Sequence, residues 1–454
     1  MKAHVSTAVA VLTLLGSAAG AAVAGAAADP GVRPTSSTDT FGNPLSGLTP
    51  DETTLFLTGQ ESFKEVEQVA DGLGPRFNLD SCVGCHSFPT HGGSSPAVNP
   101  QVAIATAFGA NNTLPSFITA NGPIREARFK YTANGVRDGG VHSLFVISGR
   151  TDSSGSAAGC NAVQENFNAQ FQRGNVSLRI PTPTYGAGLI EYIPDTTLTA
   201  NLAANATQKQ ALGIGGHLNT NPNDGRISRF GWKAQNVSLY LFAGEAYNVE
   251  EGITNELFQA ERDLNPTCQF LTVPNDYTGK NSPVSLGNIN SDITNFALYM
   301  RYLAPPAPSP TIPGGATSIA NGQKTFSSIG CALCHTPALK TGNTSVAAIS
   351  GLTAALYSDL ALHKMGPTLA DNILQGAAAG DEFRTAPLWG LGQRIFFLHD
   401  GRTSDLVQAI QLHASWGRTT GSAFGPSEAN KVIGNYNSLS NSQQQDLLNF
   451  LRSL

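Results

Sequence analysis

Two CxxCH motifs, Cys82-Val83-Gly84-Cys85-His86 and Cys331-Ala332-Leu333-Cys334-His335, constrain this chain more than any other feature. With six Cys and nine His in 454 residues, chance yields roughly 0.002 such motifs. Each carries what a c-type haem needs: two thiols that add across the vinyl groups, and a histidine placed to reach the iron. A CxxC zinc site wants a second pair or nearby histidines, and a thioredoxin-type CxxC sits at a strand-to-helix junction. The motifs therefore predict two covalently bound c-type haems, with His86 and His335 as proximal iron ligands.

The N-terminus agrees. Lys2, the apolar run Val9 to Leu15 and the small residues ending at Ala26-Ala27-Ala28 read as a signal peptide over 1–28, cleaved near residue 28. Export to the periplasm follows, and c-type haem is attached outside the cytoplasm. No later segment is apolar over a bilayer's length. Charged residues are 13% of the chain, about half the usual share. The formal charge of −5 becomes −6 without Lys2, and no basic cluster argues for nucleic acid. Cys160 and Cys268 are left over from the haem motifs. In an oxidising compartment they predict one disulfide, against the alternative of two buried thiols.

A short repeat organises the chain. Gly59-Gln60-Glu61-Ser62-Phe63 precedes the first motif and Gly322-Gln323-Lys324-Thr325-Phe326 the second. Asp292-Ile293-Thr294-Asn295-Phe296 follows the first, and Asp446-Leu447-Leu448-Asn449-Phe450 the second. Each unit reads as helix, CxxCH, irregular middle, helix. A cytochrome c domain is built that way, its first and last helices crossing beside the haem. Thr49-Pro50-Asp51-Glu52 supplies a helix start, with Phe56, Phe63, Val66 and Val69 near helical spacing. Ser291 is placed to cap the helix of Ile293, Phe296, Met300 and Leu303. The expected fold is mainly α with extensive loops and few short strands. Two cytochrome c-like domains span 40–303 and 316–454, joined by a Pro-rich linker over 304–315. The first is enlarged by a long insertion, roughly 100–290, read as loops and hairpins with strand-like runs at 144–147 and 176–180.

The sixth iron ligands decide function, because an iron with two strong ligands passes electrons and an open one binds a substrate. Candidates are His91, His142, His217, His363, His399, His413 and Met365; Met300 reads as core. Met365 lies at a distance common for a methionine ligand, His413 is its rival, and spacing alone leaves both open.

Arg125-Glu126-Ala127-Arg128-Phe129, the run Arg229 to Ala234, Gly252-Ile253-Thr254, the run Phe383 to Gly390 and Phe397 to Arg402 carry a resemblance. From about residue 50 onward the chain resembles a bacterial family of di-haem oxidoreductases to which a thiol activity is ascribed. That family belongs with the di-haem cytochrome c peroxidases, the MauG maturation enzyme and the di-haem rubber oxygenases. The resemblance implies His413, fourteen residues after His399, as distal ligand of the second haem. It implies Trp232 as an electron relay between the haems. It also implies Glu250, eighteen residues after Trp232, as the distal acid/base, with Glu251 and Glu191 in reserve. A glutamine of the peroxidases falls here on Phe242, which makes the pocket more apolar. Their interdomain calcium uses an asparagine after an arginine. Here Ile180 follows Arg179, leaving backbone oxygens near Thr385 and Pro387.

The resulting expectation is a di-haem peroxidase. Haem 2 accepts electrons from a small c-type cytochrome or cupredoxin, Trp232 relays them, and haem 1 reduces hydrogen peroxide with Glu250 as acid/base. The alternatives are an oxygenase binding oxygen and an apolar organic substrate, and a pure electron-transfer cytochrome. The spare cysteines give the thiol label no support.

Overall fold

The computed structural model describes residues 25–36, 39–137, 143–144, 147–151, 160, 162–261, 265–268, 273–280, 285–417 and 423–454. Most of the expected leader and His142 lie outside these. The fold is mainly helical with few short strands. Among the described residues no helix is long and apolar enough to cross a membrane.

The first unit starts as its sequence dictates. The Thr49 hydroxyl accepts from the Glu52 amide at 3.2 Å, and the Glu52 carboxylate accepts from the Thr49 amide at 2.8 Å. This capping box opens the helix Pro50–Lys64. Backbone turns extended at Glu65, so the helix stops before Val66 and Val69. Val66 is exposed, and Val69 is buried in a following 3-10 turn. The helix Asp292–Tyr302 crosses it. Ser291 does not cap that helix with its side chain; its hydroxyl donates to Glu256 at 2.6 Å. The Asp276 carboxylate takes over, accepting from the amides of Asp292 and Ile293 at 2.8 and 3.2 Å.

The second unit repeats the crossing with helices Gly315–Ser328 and Asn441–Ser453. Glycine makes both crossings close. A Cβ on Gly59 would stand 2.4 Å from the Asn295 carbonyl oxygen, and one on Gly322 2.0 Å from that of Asp446. Aligning Asn295 with Asn449 shows the second crossing displaced by about one helical turn. The repeated phenylalanines keep their role: Phe63 and Phe326 lie 6.1 and 6.3 Å from the rings of His86 and His335.

The insertion holds more helix than expected. Phe167–Gln172, Asp195–Ala203, Ala206–Leu212 and Leu239–Glu250 all lie within it. The last is apolar over much of its surface, so no one-sided stripe announces it. The strand Glu126–Phe129 runs antiparallel between Ser143–Leu144 and Val176–Arg179, with Ala127 opposite Leu178. Cys160 and Cys268 form a disulfide across a separation of 108 residues. From Ala304 to Gly314 the chain has no regular element and is tied to the N-terminal segment, Ala304 N to Asn43 O at 2.9 Å and Ala307 N to Asp39 O at 3.0 Å.

The crossings give a test with two signs. Gly59→Ala and Gly322→Ala force a methyl into backbone and should each cost about 1–3 kcal/mol. Gly434→Ala, in the helix Asn430–Asn437 with no atom within 4 Å of the new methyl, should gain about 0.5–1 kcal/mol. Thermal melts of the three variants check this.

Candidate functional site

Each CxxCH motif opens on its own cavity. The first cavity has an empty volume of about 1020 Å3, open solvent included. Cys82, Cys85 and His86 line it, and so do Trp232, Phe242, Glu250 and Glu251. The sequence-predicted proximal histidine, relay and acid/base are therefore brought together. His86 is part-buried and held neutral, its pKa pushed down to about 4 by desolvation. Its Nδ1 lies 3.0 Å from the Gly93 carbonyl, so with the proton there Nε2 keeps its lone pair. Among the described residues His86 is the one histidine on this wall; Met300 also reaches it. His91 is not among the lining residues, although its carbonyl accepts from Tyr299 Oη at 3.1 Å.

The second cavity, about 1360 Å3 on the same measure, is lined by Cys331, Cys334 and His335, and also by His363, Met365, His399 and His413. His335 Nδ1 faces the Tyr357 carbonyl at 3.0 Å, repeating the His86 arrangement. Burial first, and then His413, push the pKa of His335 down to about 4. His413 Nδ1 sits 2.8 Å from the Ala409 carbonyl, which leaves its Nε2 uncommitted. His363 differs. Its two nitrogens meet Glu428 at 2.8 Å and Asp359 at 3.0 Å, so neither lone pair is offered to a metal. His217 pairs with Glu382 at 3.0 Å. His399 stacks on Phe383, 4.4 Å between ring centres.

Trp232 belongs to both walls. Its indole N–H donates to the Ile180 carbonyl at 3.0 Å. Beside it Lys233 and Arg179 converge on Asp371, at 2.9 and 3.1 Å, all three buried.

The first cavity is the acidic one. Burial, and next the charge of Glu126, push the Glu250 carboxyl up to about 8, against the pull of Arg128. Burial also pushes Glu251 well above the usual carboxylate range; one of its oxygens accepts from Cys82 Sγ at 3.4 Å and the other has no partner among the described residues. Glu191 stands apart as a structural acceptor for the Leu239 amide and the Arg301 guanidinium, at 2.8 and 2.7 Å. Sequence reasoning gave no role to several further polar wall residues, among them Asn78, Glu126, Arg128 and Gln235. The Asn78 amide and Gln235 Oε1 find no partner among the described residues. A buried amide left so costs about 1–3 kcal/mol. The signal for Glu126 and Arg128 was present, since alternation along a strand puts both on one face.

The second cavity carries the opposite charge. Arg384 and Arg394 line it and also the space between the two cavities. Neither guanidinium has a carboxylate partner among the described residues. Burial, reinforced for Arg384 by Arg394, pushes both down to about 10. Two uncompensated buried cations fit a dianionic ligand such as a haem with its propionates. With the neutral histidines and paired thiols, the residues fit a haem in each cavity. They do not fit calcium: among the described residues no carboxylate side chain lines the space between the cavities, and the Thr385 carbonyl accepts from Ser358 at 2.6 Å.

A family model described as "Di-haem oxidoreductase, putative peroxidase" matches residues 127–454. Among solved structures the chain is similar to hydrazine synthase of Kuenenia stuttgartiensis, pressurised with xenon. That match has 18% identity and a TM-score of 0.22, covering 39% of this chain and 60% of that one. It is also similar to a MauG-like protein associated with microbial copper homeostasis, at 15% identity and a TM-score of 0.30, covering 60% and 90%. No curated protein matches. With the family model spanning well over half of its length, the chain belongs to the di-haem oxidoreductase family.

Proposed function

We propose that this di-haem oxidoreductase is an exported peroxidase that reduces hydrogen peroxide in its first cavity. Two cytochrome c-like domains, 40–303 and 316–454, hold covalent haems on Cys82, Cys85 and His86 and on Cys331, Cys334 and His335. When bound, the haems would supply one-electron redox chemistry and, in the first cavity, the redox centre for peroxide reduction. The observation that carries this reading is Trp232 on both walls, with Glu250 on the first alone.

The reaction consumes two electrons and two protons per peroxide and releases two waters. The electrons come from a small donor, a c-type cytochrome or a cupredoxin, through the second cavity. The indole of Trp232 is more easily oxidised than its aliphatic neighbours, which suits it to pass electrons across the shared wall. Glu250 handles protons: with its pKa raised to about 8 it is protonated at neutral pH and donates to an oxygen beside it. In the second cavity His413 is favoured over Met365 as distal ligand, because its Nδ1 is already engaged and Nε2 is left for the iron.

Phe242 supports a second reading, an oxygenase acting on an apolar organic substrate. It lines the first cavity and stacks on Phe230 at 6.3 Å. Oxygen uptake dependent on such a substrate, with no peroxide turnover, would replace the peroxidase reading. Low-temperature EPR of the holoprotein tests the electron-carrier alternative: the peroxidase requires a high-spin ferric signal, either beside one low-spin signal in the oxidised protein or after partial reduction. Low-spin ferric signals alone in both states would sink it.

Glu250→Gln should lower kcat for peroxide by about 10²–10⁴ with an unchanged haem spectrum. In the wild type, turnover should fall as pH rises through about 8, where Glu250 loses its proton; the variant should lack that limb. Trp232→Phe strands the Ile180 carbonyl and should cost about 1–3 kcal/mol. It should also slow donor-driven turnover while haem content holds, measured by stopped-flow oxidation of a reduced cytochrome.

A further inference from the structure

Asn78 occupies the wall of the first cavity without serving the fold through its side chain. Its backbone is fully used: the amide donates to the Glu250 carbonyl at 2.8 Å, and the carbonyl accepts from Gln101 Nε2 at 3.2 Å. The residue is 3% exposed, yet neither atom of its side-chain amide has a hydrogen-bond partner among the described residues. Buried amides are nearly always paired, so an unpaired one on a cavity wall points to something the cavity receives. The backbone bond to Glu250 keeps Asn78 next to the residue that handles protons.

Arg128 lies on the same wall. The strand Glu126–Phe129 turns Glu126 and Arg128 to the cavity and buries Ala127 in an apolar cluster behind it. Arg128 pairs with Glu126 at 2.8 Å and reaches Glu245 at 3.9 Å. Burial opposes its charge, but Glu126 and Glu245 outweigh that and hold it cationic. A guanidinium held cationic and an unpaired amide on one wall can both donate to a small oxygen species.

We propose that Asn78 and Arg128 are substrate-contacting residues, which bind hydrogen peroxide beside Glu250 and stabilise its departing oxygen. The inference rests on the peroxidase reading and deepens it. The Asn78 amide donates to one peroxide oxygen and accepts the other O–H. As the O–O bond breaks, the donor's two electrons end on the two oxygens. The departing oxygen takes the Glu250 proton and leaves as water while Arg128 offsets its negative charge. The second oxygen takes a proton from solvent and becomes the second water. Asn78 thus supplies, from the segment before Cys82, the amide that Phe242 does not.

The test uses holoprotein. Asn78→Leu removes the amide at similar volume. The expected result is a fall in kcat/KM for hydrogen peroxide of about 10–100-fold, with the melting temperature unchanged or higher and the haem spectrum intact. The rise is expected because the fold loses an unpaired polar group. Arg128→Lys, which keeps the charge, should retain more turnover than Arg128→Met, and both should weaken fluoride binding to the ferric protein. A lower melting temperature with unchanged kcat/KM in Asn78→Leu would mean a structural amide and would overturn the inference alone. A wild type that turns over no peroxide would remove the peroxidase reading and the inference with it. If Arg128→Met does not fold, the Leu and Lys variants still decide.

Discussion

The hydrogen bond from the Trp232 indole to the Ile180 carbonyl is the knot on which both cavities depend. Segments far apart in sequence meet there. Ile180 N donates to the His399 carbonyl at 2.8 Å, and Arg384 N to the Trp232 carbonyl at 2.9 Å. Arg384 Nε donates to the Gly231 carbonyl at 2.9 Å. The insertion, the Trp232 turn and two stretches of the second unit are thereby fixed about one indole. Beneath it the buried Lys233–Asp371–Arg179 cluster leaves no cheap alternative packing, since removing one member of such a cluster strands the charge of the others. A side chain held from so many directions is a wall that two sites can share without drifting in either.

The two units share a helix crossing but differ in charge. Around the first cavity stand Glu126, Glu245, Glu250 and Glu251 with Arg128 close to them. Around the second stand Arg384 and Arg394, while the one carboxylate on that wall, Glu428, is spent on His363. Low dielectric makes this contrast matter, because charges inside are weakly screened. Excess carboxyls keep protons in the first cavity. Uncompensated guanidiniums in the second favour a reduced, more negative cofactor. The two helix crossings are similar frames, and side chains outside the repeated segments give each cavity a different chemistry.

That division also explains what the sequence discloses. The crossings were legible because close helix packing and capping have local signatures: Gly59 and Gly322, Phe63 and Phe326, the Thr49–Glu52 box. CxxCH is likewise local, and so is the pairing of the two remaining cysteines by elimination. The Leu239–Glu250 helix was missed because a helix buried nearly all round loses its 3.6-residue stripe. Ser291 stands where a cap should, yet Asp276 caps, and nothing local shows that a carboxylate sixteen residues upstream will be closer. Glu250 and Trp232 were placed by resemblance to a family, and the structure sets them on one wall. Asn78, Arg384 and Arg394 were silent, because their importance lies in what fails to pair with them, and that is a property of the folded interior.

The acidic cavity has a thermodynamic consequence. Burial first of all raises the folded pKa values of both Glu250 and Glu67 from the ordinary 4.5 to about 8. A raised pKa means that the folded chain binds those protons more tightly than the unfolded one. The stability they contribute is fully present below about 4.5 and is lost as pH rises through about 8. Asp359 and Asp371, held down by His363 and by Lys233 with Arg179, act in the opposite sense and fail at low pH. Fold stability and proton supply therefore draw on the same buried carboxyls. The cost of keeping Glu250 buried builds from about 4.5, where the unfolded chain gives up that proton, and is complete near 8, the pH at which Glu250 stops being an acid.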